Sequence, residues 1–386
     1  MAKPGSRAST SPSAEINPVP AIRCTRCQAP YPVTGVPYLC PQCGGVFDYD
    51  GPPVFDPQAV EPHLPGMWRY RASFGLPEGA PVISLGEGST LLIQAEAAGR
   101  TVMLKMESQN PTGSYKDRGS AVLLSQLYAR GVIQAVEDSS GNAGASYAAY
   151  AARAGVRARV FVPESASGPK RGQIEAYGAD LVAVPGPRSA AAEAVLKEVR
   201  DGAVYASHAY LPFGLPGIAT IAYELYDQMD GQIGTVIAPA GHGGLLLGVL
   251  RGFEALLQGG QMEKLPHFIG VQAAECAPMA AAYADGMQAI EIAAEGPTVA
   301  EGVRVRRPVR AEAILNFLQK QYPGSGRVIG VPEEAIMPAY TTMARMGVHV
   351  EPTSALAWAA LQQVSGKVPE PIILILSGAG LKYRPA

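Results

Sequence analysis

From about residue 81 onward, short runs of β-branched and aliphatic residues alternate with longer stretches whose apolar positions recur at helical spacing. The runs at 102–107, 135–139, 156–162, 181–184, 204–207, 235–238, 268–272 and 372–376 predict buried strands. Amphipathic stretches at 119–130, 145–154, 190–199, 218–227, 245–257 and 334–346 predict helices between them. Strand and helix in alternation predict an α/β chain whose parallel sheets are covered by helices on both faces. Ahead of this region, 51–80 is proline-rich and reads as a linker wrapping onto the main body, and the first twenty residues, rich in Ser, Pro and Ala, read as a disordered tail.

Composition narrows the class of partner. The 386 residues are 47% hydrophobic and 17% charged, enough apolar material for a large core and for two or three domains. A net charge of −2 with no long basic block argues against nucleic acid or an anionic membrane and favours a small, near-neutral substrate. The tail lacks the apolar stretch of a secretory signal, and no later run reaches the roughly 18 apolar residues of a membrane span. A cytoplasmic protein is expected.

Four of the five cysteines form a pattern. Cys24 and Cys27, then Cys40 and Cys43, make two knuckles on either side of a possible hairpin, and four thiolates suit the tetrahedral preference of Zn2+. Disulfides are the alternative, and they need an oxidising compartment that nothing else in the sequence supports. Cys276, alone in an apolar stretch, reads as a small buried hydrophobe.

Three glycine-rich turns fall where predicted strands run into helices, the place where open α/β sheets collect ligands. Ser139-Ser140-Gly141-Asn142 opens one helix, so its amides and the helix dipole suit a carboxylate. Gly241-His242-Gly243-Gly244 opens another, and its glycines let backbone amides close around a phosphate. Ser377-Gly378-Ala379-Gly380 ends the last strand. Each turn alone is equally consistent with helix-on-sheet packing. Lys116, on a turn of the same kind, Gly113-Ser114-Tyr115-Lys116-Asp117-Arg118, makes the set chemically suggestive.

With Leu85-Gly86-Glu87-Gly88-Ser89-Thr90, Asn110-Pro111-Thr112-Gly113-Ser114-Tyr115-Lys116-Asp117-Arg118 and Glu351-Pro352-Thr353-Ser354-Ala355, these motifs resemble the fold type II pyridoxal-phosphate enzymes, most closely the threonine synthases. The resemblance implies a two-domain, tryptophan synthase β-like architecture preceded by a small zinc ribbon, with pyridoxal 5'-phosphate and Zn2+ as cofactors, an amino acid as substrate and a homodimer as the assembly. It implies that Lys116 is the Schiff-base former and proton carrier, that Asn142 meets the ring hydroxyl, that Gly241, His242, Gly243 and Gly244 cradle the cofactor phosphate, and that Ser377 faces the pyridine nitrogen. Ser139, Ser140 and Gly141 would hold the substrate carboxylate, and Glu87 would position the substrate amine or close over it, a surface glutamate being the plainer reading. Asp117 and Arg118 are expected to fix the turn.

The implied domains are a tail over 1–21, the ribbon over 22–50, a linker and the start of the large domain over 51–85, a smaller mobile domain over 86–206 and the rest of the large domain over 207–386. The chain departs from the threonine synthase pattern where a substrate phosphate would bind: 207–217 has no arginine, Ala143 follows Asn142, and His242 replaces a loop asparagine. The glycine loop and the stretch 298–305 are similar to threonine and serine dehydratases instead, and Arg304, Arg306 and Arg307 form a positive cluster. Three functions follow as expectations: a threonine synthase-like lyase acting on O-phosphohomoserine, a threonine or serine ammonia-lyase, and a non-catalytic regulator that keeps the cofactor fold.

Overall fold

The structure, a computed structural model, describes residues 20–165, 168–186, 188–364, 366 and 368–383. The tail expected over 1–21 therefore lies almost wholly outside the described residues. The strands are β1 (Ile22–Cys24), β2 (Phe47–Tyr49), β3 (Leu92–Ala97), β4 (Arg100–Lys105), β5 (Gln134–Glu137), β6 (Arg157–Pro163), β7 (Asp180–Val184), β8 (Thr235–Pro239), β9 (His267–Ala273), β10 (Gly326–Val331) and β11 (Ile372–Ile375). The helices are α1 (Lys116–Ala129), α2 (Asn142–Ala154), α3 (Pro169–Ala176), α4 (Arg188–Arg200), α5 (Leu215–Gln228), α6 (Gly244–Gln258), α7 (Pro278–Asp285), α8 (Ala289–Ile292), α9 (Ala311–Asn316), α10 (Glu333–Arg345) and α11 (Pro352–Val364).

Two sheets organise the body. The larger has the order β10-β9-β8-β11-β4-β3 and is parallel except for β3, which runs antiparallel to β4 at the edge. The smaller, β5-β6-β7, is parallel throughout. Alternation along β11 shows how the larger sheet is covered: Ile373 and Ile375 face the layer containing α5 and α6, while Ile372 and Leu374 face the layer containing α10 and α11. Both faces are dry, which is why its central strands read as continuous apolar runs.

Several expectations change. The division placed at 86 runs through the larger sheet, because β3 and β4 pair there rather than with β5 to β7. The run at 204–207 contributes one bridge, Tyr205 to Val136, and no strand. The proline-rich stretch over 51–80, read as a linker wrapping onto the body, lies packed against it: Met67, Trp68 and Phe74 are fully buried, and Phe55 meets Tyr223 at 4.6 Å between ring centroids. Its prolines set the path, but its aromatic residues bury enough apolar surface to fix it on the body.

β1 and β2 form an antiparallel pair that carries the cysteine knuckles. This ribbon lies against the body through Tyr31, 5.2 Å from Phe213, and Tyr38, 5.2 Å from Tyr205 and 5.4 Å from Tyr210. Arg130 at the end of α1 donates to the Pro32, Val33 and Gly35 carbonyls while its guanidinium covers Tyr31 and Phe213. Among the described residues, no helix is long and apolar enough to cross a membrane.

Candidate active site

The strand ends of the parallel sheets bring the glycine turns to one edge. Lys116 is the first residue of α1, and the turn before it is stitched to the loop after β11: Tyr115 N–H donates to the Ser377 carbonyl at 3.0 Å and Ala379 N–H to the Gly113 carbonyl at 2.9 Å. Gly113 has φ +84°, and a Cβ there would sit 3.0 Å from Lys382 Cδ, so the turn requires glycine. Lys382 is buried and donates to the Thr112 carbonyl at 2.7 Å, its amine pushed down to about 8 by burial. Asp117 accepts from both the amide and the hydroxyl of Thr112, each at 2.6 Å, so it closes the turn behind it rather than capping the helix.

Below that turn lies a fully buried ion network. Arg118 donates to both oxygens of Glu107 and both of Glu224, four contacts of 2.7 Å, and Lys105 reaches Glu224 at 2.7 Å. Every guanidinium nitrogen is engaged, and the two carboxylates hold Arg118 well above its ordinary range against the cost of burial. The network joins β4, α1 and α5 and so fixes the origin of α1, where Lys116 sits.

A cleft of about 150 Å3 is lined by Lys116, Ser139, Ser140, Gly141, Asn142, His242 and Ser377. Seven of the sequence-predicted residues thus meet around one space. A larger groove of about 740 Å3 lies between the ribbon and α6 and α9, but its mixed charges include neither the lysine nor a glycine turn. We place the chemistry in the smaller cleft on that ground.

Each corner of the cleft has a defined environment. Ser139 to Gly141 lead into α2, whose first amides have no partner within the helix. Asn142 Nδ2 donates to both oxygens of Glu351 at 2.9 and 3.0 Å, leaving Asn142 Oδ1 buried without a partner. The Ser377 hydroxyl lies 3.2 Å from that of Ser354 and is buried. In the loop before α6, Gly243 has φ +95°, and Gly244, the first residue of the helix, has nothing within 4 Å of where a Cβ would stand, while His242 Nδ1 is buried without a partner and burial holds the ring neutral.

The orphaned Asn142 Oδ1 and His242 Nδ1, with the open amide loop, fit a phosphorylated pyridine: a ring hydroxyl can donate to the first, and a phosphate can fill the second corner. The four cysteine sulfurs lie within 4.8 Å of one another, a four-thiolate donor set that fits Zn2+. Cys276 is buried in the core.

Glu87 is not in this cleft. It is fully buried, neither a surface glutamate nor a cleft residue, and accepts from Trp68 Nε1, the Leu85 amide and the Tyr150 hydroxyl. Arg304 does line the cleft, whereas Arg306 and Arg307 are tied to Ile290 and Glu291 and do not belong with it.

The fold also adds residues the sequence reading gave no role. Glu351, inside a motif already noticed, is buried beside Asn142 and accepts an ion pair from Lys170 at 3.2 Å. Lys170 from α3 and Arg188 from α4 line the same space, as do Glu301, Thr353 and His208. His208 Nδ1 lies 3.1 Å from Glu137 Oε1; burial and the nearby Lys116 charge hold the ring well below its ordinary pKa, and burial pushes Glu137 up to about 7. His208 was visible only as part of a stretch lacking arginine.

The comparisons agree with this geometry. Residues 83–378 match the family described as pyridoxal-phosphate dependent enzyme. The chain is similar to the threonine synthase of Methanocaldococcus jannaschii, 32% identical over 378 residues that cover 93% of this chain and 92% of the relative. It is 30% identical to that of Methanosarcina acetivorans over 94% of this chain and 92% of the relative. Among solved structures it is similar to a threonine deaminase from T.th., with a TM-score of 0.60 and 26% identity over 77% of this chain and 94% of that one. Maize serine racemase, at a TM-score of 0.61 and 22% identity over 75% and 88% of the two chains, shares the fold. A lysine on a helix start, an amide loop fit for phosphate and a buried serine around one cleft carry the same conclusion: this chain belongs to the pyridoxal-phosphate dependent enzymes of fold type II, with threonine synthase-like relatives.

Proposed function

We propose that the protein converts a phosphorylated amino acid by elimination and replacement, with threonine formation from O-phosphohomoserine as the activity. The observation that carries this reading is the charge of the cleft, where Lys116, Lys170, Arg188 and Arg304 face only Glu301 and Glu351. The amides of Ser140 to Asn142 suffice for an α-carboxylate. A further set of cations suits a second anion on the substrate. Lys170, Arg188 and Arg304 approach from α3, α4 and the 301–305 segment, so they offset the arginine missing from 207–217 from other directions.

Bound pyridoxal phosphate supplies the electron sink that labilises the substrate α-proton. Lys116 Nζ takes and returns that proton, with α1 fixing its position. Ser377 offers the ring nitrogen a neutral hydroxyl rather than a carboxylate, which moderates the sink and suits elimination and replacement. Asn142, oriented by Glu351, holds the ring hydroxyl. His208, backed by Glu137, presents a neutral imidazole to the substrate side. For the ribbon we propose Zn2+ on Cys24, Cys27, Cys40 and Cys43.

Purified protein supplied with O-phosphohomoserine is expected to release inorganic phosphate and threonine, and Lys116→Ala is expected to remove both the activity and the visible absorbance of bound cofactor. Deamination of threonine or serine to a 2-oxo acid, with O-phosphohomoserine untouched, would establish the ammonia-lyase in its place. A cofactor-loaded protein inert towards all three amino acids would establish the regulator.

A further inference from the structure

Arg310 stands immediately before α9 and is almost completely buried, yet its neighbours belong to three separate parts of the chain. Its Nη1 donates to the Phe47 carbonyl at 2.9 Å and lies 3.6 Å from Asp48 Oδ2, both on the ribbon strand β2. Nε and Nη2 donate to the Ala209 and Tyr210 carbonyls at 3.1 and 2.7 Å, in the loop that carries His208. Its own backbone N–H donates to the His242 carbonyl at 3.0 Å, inside the glycine loop. A Cβ on Gly243 would lie 3.0 Å from Arg310 Cβ, so the side chain rests directly against that loop. Asp48 is in turn held by Arg251 from α6 at 2.7 and 3.0 Å.

A guanidinium is suited to this task. Its planar donors are fixed relative to one another, so three carbonyls and a carboxylate met at once constrain the relative position of everything that carries them. The Phe47 and Asp48 end is four residues from Cys43, in a hairpin whose geometry the cysteine site sets. We propose that Arg310 is a positioning residue that couples the metal site of the ribbon to the cofactor phosphate loop and the His208 loop, making the ribbon a structural part of the active site. Metal in the ribbon holds β2 in place, β2 holds the Arg310 fork, and Arg310 holds 241–244 in the shape that receives a phosphate. Coupling of this kind is reciprocal: cofactor in the cleft must tighten the ribbon's grip on its metal by the same factor.

This inference rests on reading 241–244 as the cofactor phosphate loop, and the test separates the two. Full-length protein is prepared with zinc bound and cofactor removed, and the dissociation constant of added pyridoxal 5'-phosphate is followed by absorbance, with zinc release to a chromogenic chelator measured in parallel. Arg310→Met is expected to weaken cofactor binding by about tenfold or more, the usual scale for losing buried hydrogen bonds to a charged group. Arg100→Met, which breaks the ion pair to Glu370 at the start of β4 and touches neither the ribbon nor the glycine loop, is the control and should change the constant by less than about threefold. Stripping zinc from the wild type should weaken the cofactor comparably and add little further effect in Arg310→Met. Saturating cofactor should slow zinc release from the wild type but not from that variant, a difference that a general loss of stability would not produce.

Should Arg310→Met fail to fold, Arg310→Lys, which keeps the charge but not the fork, carries the same expectation in both assays. A cofactor constant within about twofold of wild type in the variant that folds, or one indifferent to zinc in the wild type, overturns the proposal. A wild-type protein that binds no cofactor overturns the reading of 241–244, and the proposal with it.

Discussion

Single residues in this protein are held by environments that predict how they titrate and what their loss does. Glu137 is pushed up to about 7 by burial, with Lys116 and Arg188 nearby to favour its charge and His208 against Oε1. Between its ordinary value and 7 the folded chain keeps a proton that the unfolded chain releases, so this group's contribution to stability falls as pH rises through that window. Glu137→Gln keeps the acceptor for His208 and abolishes the titration. Its melting temperature should therefore exceed that of the wild type above pH 7 and converge with it below about pH 4. Parallel curves across that range would remove Glu137 as the titrating group. Arg118 makes the opposite case, because its two carboxylates are buried with it: Arg118→Met should cost about 3–5 kcal/mol in urea unfolding by stranding Glu107 without a counter-charge and leaving Glu224 to Lys105 alone.

Among the elements, the strand-to-helix turns line the candidate cleft, and the geometry of one of them bears directly on the proposed phosphate site. Gly243 has φ +95°, and an added Cβ would stand 2.7 Å from Ile314 Cδ1. Gly243→Ala should cost about 1–2 kcal/mol for the left-handed backbone alone and, in displacing the loop, weaken cofactor binding as measured by titration. Undiminished affinity would show that the loop adjusts without loss. Elements with clear period or dry β-branched runs were legible in the sequence: α1, α2, α4, α5, α6 and α10 all lie where the apolar spacing predicted. α11 was not, because Pro352–Val364 is apolar on nearly every side and has no stripe to count. Nor was the fate of 204–207, a short run of Val, Tyr, Ala and Ser that meets a neighbour at a single bridge, since strand pairing depends on what lies alongside.

For the molecule as a whole, the ribbon is the part whose relation to the rest changes most once the fold is known. Four cysteines predicted a small metal-binding unit, yet Tyr31, Tyr38, Arg130, Asp48 and Arg310 hold it against both the body and the cofactor edge. Chelation should therefore lower the melting temperature of the entire chain in a calorimetric scan. An unchanged main transition, with the ribbon lost separately, would mean that these contacts hold nothing beyond themselves.

The chemistry-bearing turns and the cysteine set could be read from the order of residues alone. A glycine at a forced backbone conformation, a lysine at a helix start and paired thiols are local requirements that show in local spacing. Which of these meet, and what joins them, was left to the folded chain. Glu87 went under Trp68 and Tyr150, Glu351 came to Asn142 from more than two hundred residues away, and Lys170, Arg188, Arg304 and His208 converged on one cleft. No spacing records such meetings, because an ion pair or a shared carbonyl depends on distance in space, and the parallel sheets fold distant strand ends onto a single edge.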